Sequence, residues 1–101
     1  MLLHTVNKSP FEKNSLDTCL RLSALGSCIL LIEDGVYAAL ADGAFAAQLQ
    51  DGMRARKLYA LDADLQARGL DPAGLIDGVE VIDYRGFVEL AASCDQVQSW
   101  F

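Results

Sequence analysis

The chain has 101 residues, which predicts one domain over residues 1–101 and leaves no room for a catalytic domain joined to an accessory one. Eight basic residues against fourteen acidic ones give a net charge of −6, which disfavours direct binding to nucleic acid or to an anionic membrane surface. Apolar residues make up 52% of the chain, more than so small a body can bury, so we expect a substantial interface with other subunits.

The first predicted elements are a strand, a polar turn and an amphipathic helix. The strand is expected over Leu2–Val6 and the helix over Ser15–Ala24, with Asn14 or Ser15 as its cap. On a helical wheel one arc holds Leu16, Cys19, Leu20, Leu22 and Ser23. Cys19 is therefore predicted to lie on the packing side, just after the first turn of the helix.

A central strand and two helical segments follow. Residues Cys28–Ile32 are apolar without alternation, which is typical of a parallel strand buried on both faces. Asp34 is predicted to cap a helix that runs through Leu40. A further helical piece is expected over Ala44–Gln50, ended by the pair Asp51-Gly52.

The second half of the chain repeats the alternation of strands and helices. Strands are predicted over Lys57–Leu61 and Val79–Ile82, and Asp62 and Asp83 are predicted caps of the helices that follow them. The last helix has an apolar face of Phe87, Val88, Leu90 and Ala91. The final residues, Gln96–Phe101, alternate weakly and suit a short edge strand.

This alternation predicts the fold class. Strands joined by connections that contain helices form βαβ units, and these build a parallel sheet with helices on both faces. We therefore expect an α/β fold, a three-layer α/β/α sandwich with a mainly parallel sheet of four or five strands.

The cysteines indicate the cellular compartment. Cys19, Cys28 and Cys94 are odd in number and widely spaced, with no CxxC pair and a single histidine. A zinc site or a disulfide framework is disfavoured, and thiols in a reducing compartment are favoured. No apolar run reaches the roughly 18 residues of a membrane span, and the start lacks the regions of a signal peptide, so we predict a cytoplasmic protein.

Cys19 is the main candidate for chemistry. A thiolate is the reactive form of cysteine, and a nearby helix amino end favours it. The alternative is a small apolar side chain packed beneath the helix, which is the commoner role of cysteine. Cys28 is predicted to be a packing residue, and the acidic neighbour of Cys94 disfavours its thiolate. His4 suits either proton transfer or a structural hydrogen bond.

Other polar and aromatic residues have simpler explanations. The carboxylates at predicted strand-to-helix junctions are explained by capping, and their spacing matches no metal-ligand pattern; they are Glu33, Asp34, Asp62 and Asp83. Trp100 and Phe101 either fold back onto the body or anchor a partner, and the excess of apolar residues favours the partner. Motifs for phosphate, dinucleotide, nucleophile-elbow and zinc-protease chemistry are absent from the sequence.

Several segments with consistent spacing resemble the DsrH/TusB family of sulfur-relay subunits. They are Leu3–Phe11, Glu33–Leu40, Leu58–Leu61 followed by Asp64-Leu65 and Ala67-Arg68-Gly69, Ile82-Asp83-Tyr84 with Phe87-Val88, and Gln98-Ser99-Trp100. The resemblance implies a DsrE-like fold, a five-stranded parallel sheet between helices. It also implies assembly with DsrE/TusD-like and DsrF/TusC-like subunits into a heterohexamer, without any cofactor.

Such a complex is expected to carry sulfur as a cysteine persulfide and to hand it to a DsrC/TusE-type acceptor. The destination is either 2-thiolation of the tRNA wobble uridine or cytoplasmic sulfur oxidation. The principal sulfur-carrying cysteine of the family belongs to the DsrE/TusD partner. Of the present chain only Cys19 is implied as a site, because the Dsr-branch form also has a cysteine in its first helix; this favours the DsrH-like branch.

Three hypotheses remain open at the level of sequence. In the first, this chain is a sulfurtransferase subunit with Cys19 as a persulfide site. In the second, it is a structural subunit that builds the hexamer and docks partners. In the third, it is a flavodoxin-like binder of a small anion or cofactor.

Overall fold

The computed structural model describes residues 2–24 and 26–100, and within them a parallel sheet forms the centre of the fold. Its strands are β1 (Leu2–Val6), β2 (Cys28–Leu31), β3 (Lys57–Leu61), β4 (Glu80–Ile82) and β5 (Gln96–Trp100). The spatial order is β4-β3-β2-β1-β5, and each neighbouring pair runs parallel. The predicted parallel sheet is confirmed, with β5 as one of its edges.

The two faces of the sheet are covered unequally. The helices are α1 (Ser15–Leu22), α2 (Ala46–Gly52), α3 (Asp62–Ala67) and α4 (Tyr84–Ser93), with 3₁₀ helices at Glu33–Ala39 and Pro72–Gly74. The larger core cluster joins α1, α2, α3 and the first 3₁₀ helix to one face of the sheet. The smaller cluster joins α4 to the opposite face. The structure is the predicted three-layer α/β/α sandwich, with one thick and one thin outer layer.

Strand β2 is the apolar centre of both clusters. Ile29 and Leu31 face the larger cluster, and Cys28 and Leu30 face the smaller one. All four side chains are at most 1% exposed. This is the environment that the unbroken apolar run predicted, since a strand between two helical layers has no polar face.

The last strand returns to the start of the chain. β5 lies beside β1 in a register that pairs Leu2 with Gln96 and Val6 with Trp100. Trp100 packs against the larger core cluster. Its indole ring therefore folds back onto the body, and anchoring of a partner by this residue stays a prediction; Phe101 lies outside the described residues.

Helix α1 is shorter than predicted. It ends at Leu22, and Ser23 is already extended, with φ −71° and ψ 143°. The Arg56 side chain holds Ser23 there, because Nε donates to the Ser23 hydroxyl at 2.6 Å and Nη2 donates to its carbonyl at 2.7 Å. Leu22, placed on the packing arc by the wheel, is 71% exposed. It lies at the border of that arc, and the chain leaves the helix before another turn covers it.

The connection after β2 also departs from prediction. The helix there is 3₁₀ and begins at Glu33, so Asp34 does not cap it. A Cβ on Gly35 would clash with the carbonyl oxygen of Val6, so the segment packs against the end of β1 at a point that only glycine tolerates. Helix α2 runs two residues further than predicted and ends at Gly52, where the missing side chain makes room for Leu20 of α1.

Candidate functional site

Cys19 lies at the middle of α1 and points into the larger core cluster, as the wheel predicted. Its side chain is 0% exposed. Burial raises the pKa of the thiol to about 11, although the positive charge of Arg56 acts in the opposite direction. At pH 7 such a group is a thiolate in about one molecule in ten thousand, so the thiol is unreactive in this conformation.

Arg56 is the residue that sequence inspection missed at this place. It precedes β3 and therefore belongs to the amino-terminal end of the sheet. Its charge influences both Cys19 and His4, so the three side chains share one electrostatic environment. Because Arg56 directly precedes β3, the positive charge that acts on Cys19 comes from the amino-terminal end of that strand.

A shallow cleft of about 230 Å³ opens beside α1. Its lining residues come from α1, α2 and the segment before β3; they are Asp17, Leu20, Arg21, Gln48, Asp51, Gly52 and Arg56. A hydrogen bond crosses it, since the Gln48 amide donates to the Asp17 carboxylate at 2.7 Å. Cys19 lies behind the Leu20 wall and does not line the cleft. A sulfur donor that enters the cleft would reach Cys19 only if α1 shifted.

His4 is a buried structural histidine. Its side chain is 2% exposed, and the indole Nε1–H of Trp100 donates to its Nδ1 at 3.0 Å. Because Nδ1 accepts this bond, the neutral ring carries its proton on Nε2, which finds no hydrogen-bond partner among residues 2–24 and 26–100. Burial, aided by the charge of Arg56, lowers the pKa of His4. The ring is therefore neutral at pH 7, and it ties β1 to β5.

The acidic residues at the strand-to-helix junctions have mixed roles. Asp83 caps α4 as predicted, with its carboxylate accepting from the Gly86 N–H at 2.8 Å. Asp34 instead forms an ion pair with Arg68 at 2.9 Å, and the Arg68 guanidinium also lies 3.6 Å from the Asp64 carboxylate. Asp62 accepts from the Gln66 amide at 2.7 Å. Among residues 2–24 and 26–100, no cluster of three or more histidine, cysteine or acidic side chains is arranged to hold a metal ion.

A second group of thiols lies on the opposite face of the sheet. Cys28 begins β2, and Cys94 follows directly after α4. The Tyr59 hydroxyl donates a hydrogen bond to the Cys28 sulfur, and the Cys94 thiol is a second hydrogen-bonding partner of Cys28. The predicted packing role of Cys28 is confirmed, since it is 1% exposed. Its contact with Cys94 was not foreseen, because the two residues are far apart in the sequence.

Comparisons with known proteins agree on one family. The family model described as DsrH like protein matches residues 8–97. Protein TusB of Pectobacterium parmentieri is 38% identical over 99 residues, and Protein TusB of Erwinia tasmaniensis is 42% identical over 100 residues. Each alignment covers 98% of this chain and 100% of the relative.

The fold also has a counterpart among solved structures. The ychN protein from E. coli superimposes with a TM-score of 0.79 at 25% identity, over 97% of each chain. Of the helices in the described part of the chain, none is long and apolar enough to cross a membrane.

Proposed function

The chain belongs to the DsrH family, and on that premise we propose that it is a subunit of a cytoplasmic sulfur-relay complex that serves tRNA thiolation. The observation that carries the proposal is the full-length relationship to Protein TusB at 38–42% identity. The cysteine in the first helix favours the Dsr branch and sulfur oxidation, whereas the names of these relatives support the branch that ends in 2-thiolation of the wobble uridine.

The partners in this proposal are DsrE/TusD-like and DsrF/TusC-like subunits, joined with this chain in a heterohexamer. The face covered by α4 supports a docking role. Tyr84 and Val88 on α4 are 62% and 67% exposed, and Val97 on β5, on the same face of the sheet, is 48% exposed. Together they form what we call the α4 surface. Aromatic and aliphatic side chains left open on a thin layer are typical of subunit interfaces.

Within the complex, the geometry favours a supporting role for this chain. Sulfur transfer requires a thiolate that attacks the outer sulfur of a donor persulfide, and later an acceptor thiolate that removes it. In this conformation the Cys19 side chain is inaccessible to a donor, and its thiol is protonated at pH 7. We therefore place the sulfur-carrying cysteine on the DsrE/TusD-like partner, which passes sulfur to a DsrC/TusE-type acceptor.

A second proposal is that Cys19 itself carries sulfur as a persulfide. This requires α1 to move so that the cleft at Leu20 and Arg56 reaches the thiol. In that open state Arg56 is the cation suited to stabilise the thiolate, because its charge already acts on Cys19. No metal or organic cofactor takes part in such a transfer.

Intact mass spectrometry of the assembled complex separates the two proposals. The complex is incubated with a persulfide donor, and each subunit is weighed. The supporting role predicts a one-sulfur gain on the DsrE/TusD-like subunit and no loss of sulfur flux in a complex that carries Cys19→Ser. A one-sulfur gain on this chain that disappears in Cys19→Ser establishes Cys19 as a carrier and overturns the supporting role.

The pathway is tested in cells. Deletion of the gene is expected to abolish 2-thiolation of the wobble uridine, measured by mass spectrometry of tRNA nucleosides, and the wild-type gene is expected to restore it. A deletion strain with normal 2-thiolation and impaired oxidation of reduced sulfur would overturn the assignment to tRNA thiolation and support the Dsr branch.

A further inference from the structure

The pair Cys28 and Cys94 joins two elements at the thin side of the sandwich. Cys28 is fixed in the sheet by pairing with Leu3 of β1 and Lys57 of β3. Cys94 is the residue directly after α4, and its extended backbone leads into β5. Cys94 packs against the small core cluster that contains Cys28, and the two thiols are hydrogen-bonding partners. The two side chains are therefore neighbours, which is the first geometric requirement for a disulfide.

The two thiols differ in access. Cys28 is 1% exposed, whereas Cys94 is partly exposed and is followed by the exposed Asp95. Of the two residues, Cys94 is the one that a reagent in solution can approach. An arrangement of one accessible sulfur and one protected sulfur in contact is that of an attacking and a resolving cysteine.

Tyr59 supports the protected sulfur. Its hydroxyl donates to the sulfur of Cys28, and this bond favours the thiolate of Cys28. Burial nevertheless raises the pKa of Cys28, with Cys94 as a second cause. Cys28 is therefore a thiol at rest, and Tyr59 is placed to stabilise the charge that forms when Cys28 gives up its proton.

We propose that Cys94 and Cys28 form a dithiol site that takes up electrophilic sulfur at Cys94 and resolves it into an intramolecular Cys28–Cys94 disulfide. The reactants are small molecules with a sulfur–sulfur bond, either a disulfide such as glutathione disulfide or a persulfide such as glutathione persulfide. The site is separate from Cys19 and does not depend on the proposed place of the chain in tRNA thiolation.

The proposed reaction consists of two thiol–disulfide exchange steps. In the first, the Cys94 thiolate attacks one sulfur of the reagent; a Cys94 mixed disulfide or persulfide forms, and glutathione thiolate leaves. In the second, the Cys28 thiolate attacks the Cys94 sulfur; the Cys28–Cys94 bond forms, and glutathione thiolate or hydrosulfide leaves. The two protein thiols are oxidised, the reagent is reduced, and the two thiol protons pass to solvent or to the leaving groups.

The test uses the reduced full-length chain treated with glutathione disulfide in one arm and glutathione persulfide in the other, followed by acid quenching and intact mass measurement. In both arms the expected product lacks two hydrogens, and peptide mapping places the bond between residues 28 and 94. The amount of glutathione released distinguishes the two reagents. Glutathione disulfide releases two equivalents of glutathione per protein disulfide, whereas glutathione persulfide releases one equivalent of glutathione and one of sulfide.

Matched variants assign the roles. Cys94→Ser is expected to form no adduct. Cys28→Ala is expected to retain the glutathione or persulfide adduct on Cys94, and Cys19→Ser is expected to behave as wild type. Tyr59→Phe is expected to slow the resolving step about tenfold and to move its pH–rate profile to higher pH, because one stabilising hydrogen bond is lost.

Three results would overturn the proposal. One is an adduct on Cys94 that persists equally in wild type and in Cys28→Ala. Another is a disulfide that maps to Cys19. The last is an unmodified wild-type chain in both arms while unfolded chain reacts at all three cysteines, since this would show that Cys94 is inaccessible in the folded protein. Circular dichroism of Cys28→Ala and Cys94→Ser confirms that the comparison is made between folded chains.

Discussion

At the scale of single residues, burial decides which groups can react. The sequence placed Cys19 on the packing side of α1, and the structure confirms this. The role of Arg56 beside α1 could not be predicted. An arginine that precedes a strand carries no local pattern that links it to a helix elsewhere in the chain. The contact of Cys28 with Cys94 was equally hidden, since both residues look like isolated cysteines.

The three cysteines are expected to react with an alkylating agent in a fixed order. At pH 7.5 a maleimide should label Cys94 first, because it is the partly exposed residue of the three and the other two are buried. Cys19, with a pKa of about 11 and no exposure, should be labelled only when the chain unfolds. Timed quenching and peptide mapping measure the order. Labelling of Cys19 in folded protein at a rate similar to Cys94 would show that α1 opens readily.

His4 makes stability depend on pH. Its pKa is lowered in the folded chain, so the unfolded chain binds the proton more readily, and protonation favours unfolding. The neutral His4 ring contributes its full stabilisation above pH 6.5, the pKa of histidine in the unfolded chain. This stabilisation is lost as the pH falls from 6.5 towards the lower pKa of His4 in the folded chain. The limiting slope is about 1.4 kcal/mol per pH unit.

Urea titrations at pH 7.5, 6.5 and 5.5 measure this effect. The free energy of unfolding should fall more steeply with pH in wild type than in His4→Gln, which has no group that titrates at this position. His4 is the only histidine of the chain, so other side chains contribute little in this interval. Parallel curves for the two proteins would mean that His4 is protonated as readily when folded as when unfolded.

At the scale of elements, the strands could be predicted more accurately than the helices. The boundaries of β1 and β3 agree with prediction, because their apolar residues and flanking polar turns are local signals. The 3₁₀ helix after β2 and the end of α1 could not be predicted. Both are set by contacts between distant residues, Gly35 with Val6 in the first case and Arg56 with Ser23 in the second.

Gly35→Ala is expected to destabilise the fold by about 1–3 kcal/mol. A Cβ at this position would clash with the Val6 carbonyl oxygen, which belongs to the backbone of β1 and cannot move aside alone. Gly74→Ala is the matched control, since a Cβ there meets no atom within 4 Å. Thermal and urea unfolding of both variants measure the difference. Equal stability of the two variants would contradict the close approach of the 3₁₀ helix to β1.

At the scale of the whole molecule, the unequal layers explain the high apolar content. The sequence predicted an interface from its 52% of apolar residues, but it could not say which surface would provide it. It also gave no strand order, because pairing between strands far apart in the chain leaves no local pattern. Of the five exposed large apolar side chains in the described part of the chain, three belong to the α4 surface; they are Tyr84, Val88 and Val97.

Val88→Asp is expected to weaken assembly with the partner subunits by roughly tenfold or more. The stability of the isolated chain should change by no more than about 0.5 kcal/mol, because the side chain is 67% exposed. Leu22→Asp is the control, as Leu22 is 71% exposed but lies on α1, across the sheet. Co-purification and sedimentation measure assembly. Loss of assembly in Leu22→Asp with normal assembly in Val88→Asp would move the interface to the α1 side.

The pairing of β5 with β1 has a consequence for the folding of the chain. Thr5 donates to Ser99 at 3.2 Å across a sequence separation of 94 residues, and β1 is synthesised long before β5. One edge of β1 therefore stays unpaired until residues 96–100 have left the ribosome. Contacts of such long range slow folding, and an open strand edge invites pairing with other chains. A chain cut before Gln96 is thus expected to aggregate during synthesis, although it contains four of the five strands.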